Sequence, residues 1–146
     1  MTQPVRDLVA AAGQLLTPPP GTLPGLTPAL EPGLTPALEP ALTPGLRARA
    51  AAALLRLALD EAMDDFWRST SPGMVHSRGR TKALCLEWYA SPSVARRWYV
   101  VRSALSAACH HHTYELPPTP AEVRAWHADV TELLRAMPSD TAAVRP

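Results

Sequence analysis

Residues 46–69 read LRARAAAALLRLALDEAMDDFWRS, and this stretch decides the fold. Leu46, Ala50, Ala53, Leu54, Leu57 and Ala58 recur at the three- and four-residue steps of a helical stripe, which Leu55, Leu59, Met63 and Phe66 widen. A polar strip of Arg49, Arg56, Asp60 and Asp64 accompanies it, with Arg56 and Asp60, and Asp64 and Arg68, spaced four apart for pairing along the helix. The spacing predicts one long core helix. Asp60, Glu61, Asp64 and Asp65 cluster as metal ligands could, but acids in such a run fit a solvated helix face.

Just before this helix the chain forbids any other. Pro20, Pro24, Pro28, Pro32, Pro36, Pro40 and Pro44 stand at a strict spacing of four, and the octapeptide GLTPALEP occurs at 25–32 and again at 33–40. Each proline removes a backbone donor, fixes its own φ and pushes the preceding residue out of the α region. Residues 17–45 therefore read as a semi-stiff tether, turn-rich or disordered, with a docking ligand for an aromatic-lined groove as the alternative. Ahead of it, in residues 1–16, Val5, Leu8, Val9, Ala12, Leu15 and Leu16 share one helical face, with Thr2 placed to cap and Pro4 in the first turn. So short a helix is unstable alone, so its stripe docks on the domain, on a second copy or on a partner.

Beyond residue 69, a loop at 71–79 leads to a short helix at 81–89 carrying Leu84, Cys85, Trp88 and Tyr89. Ser91-Pro92-Ser93 opens another helix, whose apolar residues Val94, Trp98, Val101, Leu105 and Ala108 step 4, 3, 4, 3 towards His112. Pro117 and Pro118 end that run, and Thr119-Pro120-Ala121-Glu122 is a capping box with proline at the first helical position. The last helix carries Val123, Trp126, Val130, Leu133, Leu134 and Met137, followed by a polar, disordered tail at 138–146. The expected fold is all-α: a small antiparallel four-helix bundle over 46–137, with the N-terminal amphipathic helix on its Pro-rich tether. About ninety residues suffice for one small core.

Composition narrows the function classes. Fourteen basic and 13 acidic residues give a formal charge of +1, so attraction to nucleic acid or membrane has to be local. Lys82 is the one lysine among those 14, and with 17 prolines and abundant alanine the usage is that of a GC-rich bacterial genome. Two cysteines, with no charged segment leading into a continuous apolar one, point to a reducing cytoplasm. No apolar run approaches membrane-spanning length.

Local charge is concentrated. Between residues 76 and 102 stand Arg78, Arg80, Lys82, Arg96, Arg97 and Arg102 against Glu87 alone, which is +6 − 1 = +5, while residues 60–65 carry −4. These charges either pair within the domain or leave a phosphate-facing patch of Arg78, Arg80, Lys82, Arg96 and Arg97. Trp88, Tyr89, Trp98 and Tyr99 lie near enough to stack on bases, but a bundle this small is expected to use them as core anchors.

The densest reactive cluster is Cys109-His110-His111-His112-Thr113-Tyr114-Glu115. His112 fits as a hydrogen-bonded histidine on the helical stripe. Cys109 and His112 share a face and with Cys85 or His76 would make a metal site, but the spacing lacks the paired ligands of structural zinc, so no metal and no cofactor is expected. A helix ending in His-x-Tyr, then a short loop and a capped amphipathic helix, resembles the HEPN family of small helical proteins of bacterial toxin–antitoxin and phage-defence systems. The resemblance implies a homodimer and, in active members, metal-independent RNA cleavage, with His112 as general base beside Tyr114 and an arginine stabilising the phosphorane. The arginine departs from the pattern. Leu105, Ser106 and Ala107 fill the family's arginine positions, and Arg102, the nearest candidate, stands ten residues from His112, a rise of about 15 Å and an offset of about 80° on one helix.

These observations lead to a non-catalytic or weakly catalytic cytoplasmic binding module, HEPN-like, with RNA as a candidate partner. Two alternatives differ in kind. One is a protein-interaction adaptor working through residues 4–16, for which removing residues 1–45 should leave the bundle's stability nearly unchanged. The other is a ribonuclease completed by Arg102 across a homodimer.

Overall fold

A computed structural model describes residues 2–17, 43–110 and 116–137. The repeat tether at 18–42, the cluster at 111–115 and the tail at 138–146 lie outside the described residues. The described residues form five α-helices: α1 (Gln3–Leu16), α2 (Pro44–Thr70), α3 (Gly79–Tyr89), α4 (Pro92–Cys109) and α5 (Pro120–Ala136). A 3₁₀ turn at Pro72–His76 follows α2, and there is no strand among the described residues. The protein is all-α.

Local signals set the helix starts. Proline occupies the first turn of α1, α2, α4 and α5, where its missing N–H has no intrahelical use. The Thr43 hydroxyl accepts from the Leu46 N–H at 3.3 Å and the Ser91 hydroxyl from the Val94 N–H at 3.2 Å. At α5 the capping box closes both ways: the Glu122 N–H donates to Thr119 Oγ1 at 3.2 Å, and the Thr119 N–H donates to Glu122 Oε2 at 2.8 Å. Thr2 does not cap α1 with its side chain; its hydroxyl donates to Asp65 Oδ2 of α2.

α2 runs for 27 residues, about 40 Å, and carries the core. Its buried face is Ala48, Ala51, Ala52, Leu55, Ala58, Leu59, Ala62, Met63, Phe66 and Trp67. That face is rotated from the stripe expected on spacing, since Leu46 and Leu57 are half exposed and Ala53 is exposed. Trp67 is fully buried, its indole N–H 3.1 Å from the Met63 sulfur, with Phe66 and Tyr89 edge-on at 5.0 and 5.2 Å. α4 adds Ala95, Trp98, Val101 and Leu105, and α5 adds Val123, Val130, Leu133 and Leu134.

The N-terminal helix shares this core. α1 packs on α2 and α5, with Val5 and Ala12 completely buried and Leu8, Val9, Leu15 and Leu16 packed at the margin. Arg47 of α2 donates to the Leu15 and Thr17 carbonyls at 3.1 and 2.9 Å, satisfying acceptors that the end of α1 would leave open. A His127 ring nitrogen of α5 lies 3.1 Å from the Val9 carbonyl oxygen. Gly13 permits that approach, because a Cβ there would stand 3.3 Å from the same ring nitrogen. The core therefore extends beyond 46–137.

α3 is held differently. It packs chiefly on α4 and contributes buried Leu86 and Lys82. Leu84, Trp88 and Tyr89, its expected apolar face, are exposed.

Two outcomes follow for stability. Val5→Asp strands a carboxylate beneath α1 and should cost about 3 kcal/mol or more in chemical denaturation, and a chain beginning at Thr43 should melt well below the full one. At the capping box, the Thr119 N–H and then its hydroxyl hold the Glu122 carboxyl below the ordinary glutamate range. A depressed folded value means that this contribution is complete above the ordinary glutamate value and is lost as pH falls through the depressed one. The stability gap between the parent and Glu122→Ala should accordingly close in acid, whereas Thr119→Ala should cost about 1 kcal/mol at neutral pH.

Candidate functional site

Pairing divides the basic residues of 76–102 into two groups. Lys82, only 7 % exposed, reaches back to Asp64 Oδ1 at 2.5 Å. Arg97 of α4 donates to Asp129 and Glu132 of α5 at 3.0 and 2.6 Å, and the carboxylates, Glu132 foremost, hold its proton more tightly than usual. Arg102 donates from Nε to Asp60 Oδ1 at 2.7 Å, and its guanidinium lies 5.4 Å from the centre of the Trp98 ring. All three have acidic partners within the fold, Lys82 nearly buried and Arg97 still exposed.

Arg78, Arg80 and Arg96 form the second group. All three are exposed and have no acidic partner among the described residues. Arg80 of α3 and Arg96 of α4 line a groove of about 800 Å³ between these helices, and Arg78 stands at the start of α3. Ala83, Ala95 and Trp98 line it together with Leu84, Tyr99 and the single acid Glu87. A second recess of about 560 Å³ lies on the far side of Arg96, towards Asp129, and includes Val100.

Several large apolar side chains of α3 and α4 are left in solvent, as are Leu46, Leu57 and Leu116 elsewhere. Trp88 is 89 % exposed, Leu84 and Tyr99 63 %, and Val100 59 %. Of the four aromatics expected in the core only Trp98 is buried, and its indole N–H has no acceptor among the described residues. The others face outward because α3 lies at the edge of the fold, where no further described helix covers it. The outward direction of Leu84 and Trp88 has a sequence signal in hindsight: Lys82 and Leu86 are four apart and bury together, which turns Leu84 and Trp88 to solvent.

The residues of the catalytic expectation are not brought together. His112 and Tyr114 lie outside the described residues, and Arg102 is engaged by Asp60 and Trp98 of its own chain. His76, Cys85 and Cys109 do not meet as a ligand set; no three potential metal ligands cluster among the described residues. The apolar stripe of α1, the surface an adaptor would offer, is turned into the core. Among the described residues no helix is long and apolar enough to cross a membrane.

Comparison with protein-family models, curated proteins and solved structures found no match to this chain.

The Lys82–Asp64 pair yields a test of its structural role. Asp64→Asn leaves a nearly buried ammonium short of its counter-charge and should destabilise by about 1–3 kcal/mol. Lys82→Met keeps the packed stem and should cost less, by urea denaturation followed by circular dichroism.

Proposed function

We propose that this chain is a non-catalytic helical binding module, a small antiparallel bundle of HEPN-like plan, working through the face that α3 and α4 present. One observation carries it. Exposed Leu84 and Tyr99 and the arginines Arg80 and Arg96, which have no acidic partner among the described residues, line one groove between α3 and α4, whereas the neighbouring Lys82, Arg97 and Arg102 are paired internally. Surfaces rich in Trp, Tyr and Arg have the composition of binding hot spots. An exposed apolar patch of this kind on a small protein marks an interaction site.

Catalysis finds less support. An acid-base mechanism on RNA needs positive charge at the developing phosphorane, and the only nearby candidate named by the sequence, Arg102, is occupied by a carboxylate. RNA binding without cleavage has one specific observation in its favour: Arg78, Arg80 and Arg96 are free to meet phosphates, with Trp88 and Tyr99 beside them to stack.

The face is tested by photo-crosslinking. Benzoylphenylalanine placed at Trp88 or Tyr99 should give adducts in cells of the source organism, and the same probe at Ala53 or Arg124, exposed elsewhere, should not; equal labelling at all four positions refutes the assignment. In parallel, incubation with total RNA under metal-free conditions should give no cleavage that His112→Ala removes.

A further inference from the structure

Resting on the assignment of α3 and α4 as the contact face, we infer that its occupant is an acidic amphipathic helical segment of another protein. Shape is the first argument. The groove follows two neighbouring helices, lined by buried Ala95 and Trp98 and half-buried Ala83 together with the exposed Leu84 and Tyr99. Small side chains there let a third helix approach to the usual 8–10 Å interaxial distance, about what packed helices require. Such a helix would seat apolar anchors at three- and four-residue steps in the groove, as helix-in-groove partners do.

Charge gives the segment its acidity. Arg80 and Arg96 outnumber Glu87 in the lining of the groove, so the partner gains by bringing carboxylates to its flanks. A second copy of this chain fits less well. Two such faces would oppose net positive charge, and the described carboxylates that could answer it are already taken. Asp60 is held by Arg102 and Arg56, Asp64 by Lys82, Glu61 and Asp65 by Arg68, and Asp129 and Glu132 by Arg97. Asp7 is bonded to Gln3, and Glu122 closes its capping box. Among the described acids only Glu87 lacks a partner.

A nucleic acid fits less well too. Leu84 is aliphatic and has no ring to stack on a base, and Glu87 stands within the groove, where it repels a phosphate backbone. Apolar anchors of a peptide use Leu84, and Tyr99 serves a peptide as readily as a base.

The experiment uses the full chain and a fluorescein-labelled synthetic helix of about 18 residues, long enough for about five turns, with a leucine stripe flanked by glutamates. Its scrambled isomer and its Glu-to-Lys version are controls, and an oligouridylate is the competing probe. Anisotropy should give a Kd of micromolar order for the acidic helix, with both control peptides weaker by about tenfold or more. Arg80→Glu combined with Arg96→Glu, and separately Leu84→Asp, should weaken binding by about tenfold or more, and Arg124→Glu on α5 should leave it unchanged, with circular dichroism verifying that each variant is folded. Equal binding of the scrambled isomer, or no binding of the acidic helix, overturns the inference. Tight oligouridylate binding lost in the arginine variant, without helix binding, makes the occupant a nucleic acid and leaves the contact face standing. Absence of crosslinks at Trp88 and Tyr99 as well brings down both.

Discussion

Burial of α2 along one broad face is the constraint on which the rest of the structure depends. Leu55, Leu59 and Trp67 are completely inaccessible, and α1, α4, α5 and the 3₁₀ turn all pack against this helix. Alanine makes it possible. Ala48, Ala51, Ala52, Ala58 and Ala62 keep the surface of α2 low on its buried side, so several neighbours can approach without competing for the same volume. Leucines and Trp67 between them fill the gaps, and α1 completes the layer with only two fully buried side chains, Val5 and Ala12.

From that arrangement follows the position of α3. The central helix gives its apolar face to α1, α4 and α5, and α3 is left to pack mainly on α4, secured to α2 by the Lys82–Asp64 pair and the edge-on contact of Tyr89 with Trp67. An element held on one side keeps its other side in solvent. The exposed Leu84 and Trp88 are thus a consequence of topology.

Helix existence and the starts of α4 and α5 were legible in the sequence because they rest on local chemistry, whereas α2 begins at Pro44, inside the expected tether, and α3 at Gly79, inside the expected loop. Proline in the first turn, a hydroxyl cap and the Thr119–Glu122 box act within a few residues and act in the same way in any fold. The α4 stripe was legible for a related reason: Arg96, Arg97 and Ser103 break its other sides, so Trp98, Val101 and Leu105 had one orientation available. α2 was not legible in the same way. It is apolar on more than half its circumference, and Leu46, Ala50, Ala53 and Leu57 satisfy the period as well as Ala51, Leu55 and Leu59 do. Which stripe is buried depends on where α1 arrives, and α1 is separated from α2 by the proline repeat, across which periodicity carries no information. α3 failed for another reason. Its buried pair includes a lysine, and a lysine stem can line a core when a carboxylate from another helix receives its head.

The charge pattern carries the same lesson into the site. An excess of +5 over residues 76–102 and −4 over residues 60–65 are true of the sequence and say nothing about a surface until each charge is given its neighbour. Lys82 and Arg102 discharge against Asp64 and Asp60 across helices, so two acids of the dense cluster serve to position α3 and α4 on α2. Arg97 does the same towards α5. What is left over, Arg78, Arg80 and Arg96 beside exposed rings and aliphatics, is a smaller charge with more apolar surface around it than the sequence total implied. A polyanion is attracted by total charge and tolerates few carboxylates, whereas a protein segment is selected by apolar fit with charge at the margin. It is this redistribution of charge by folding that favours, in our proposal, a protein partner over a phosphate backbone.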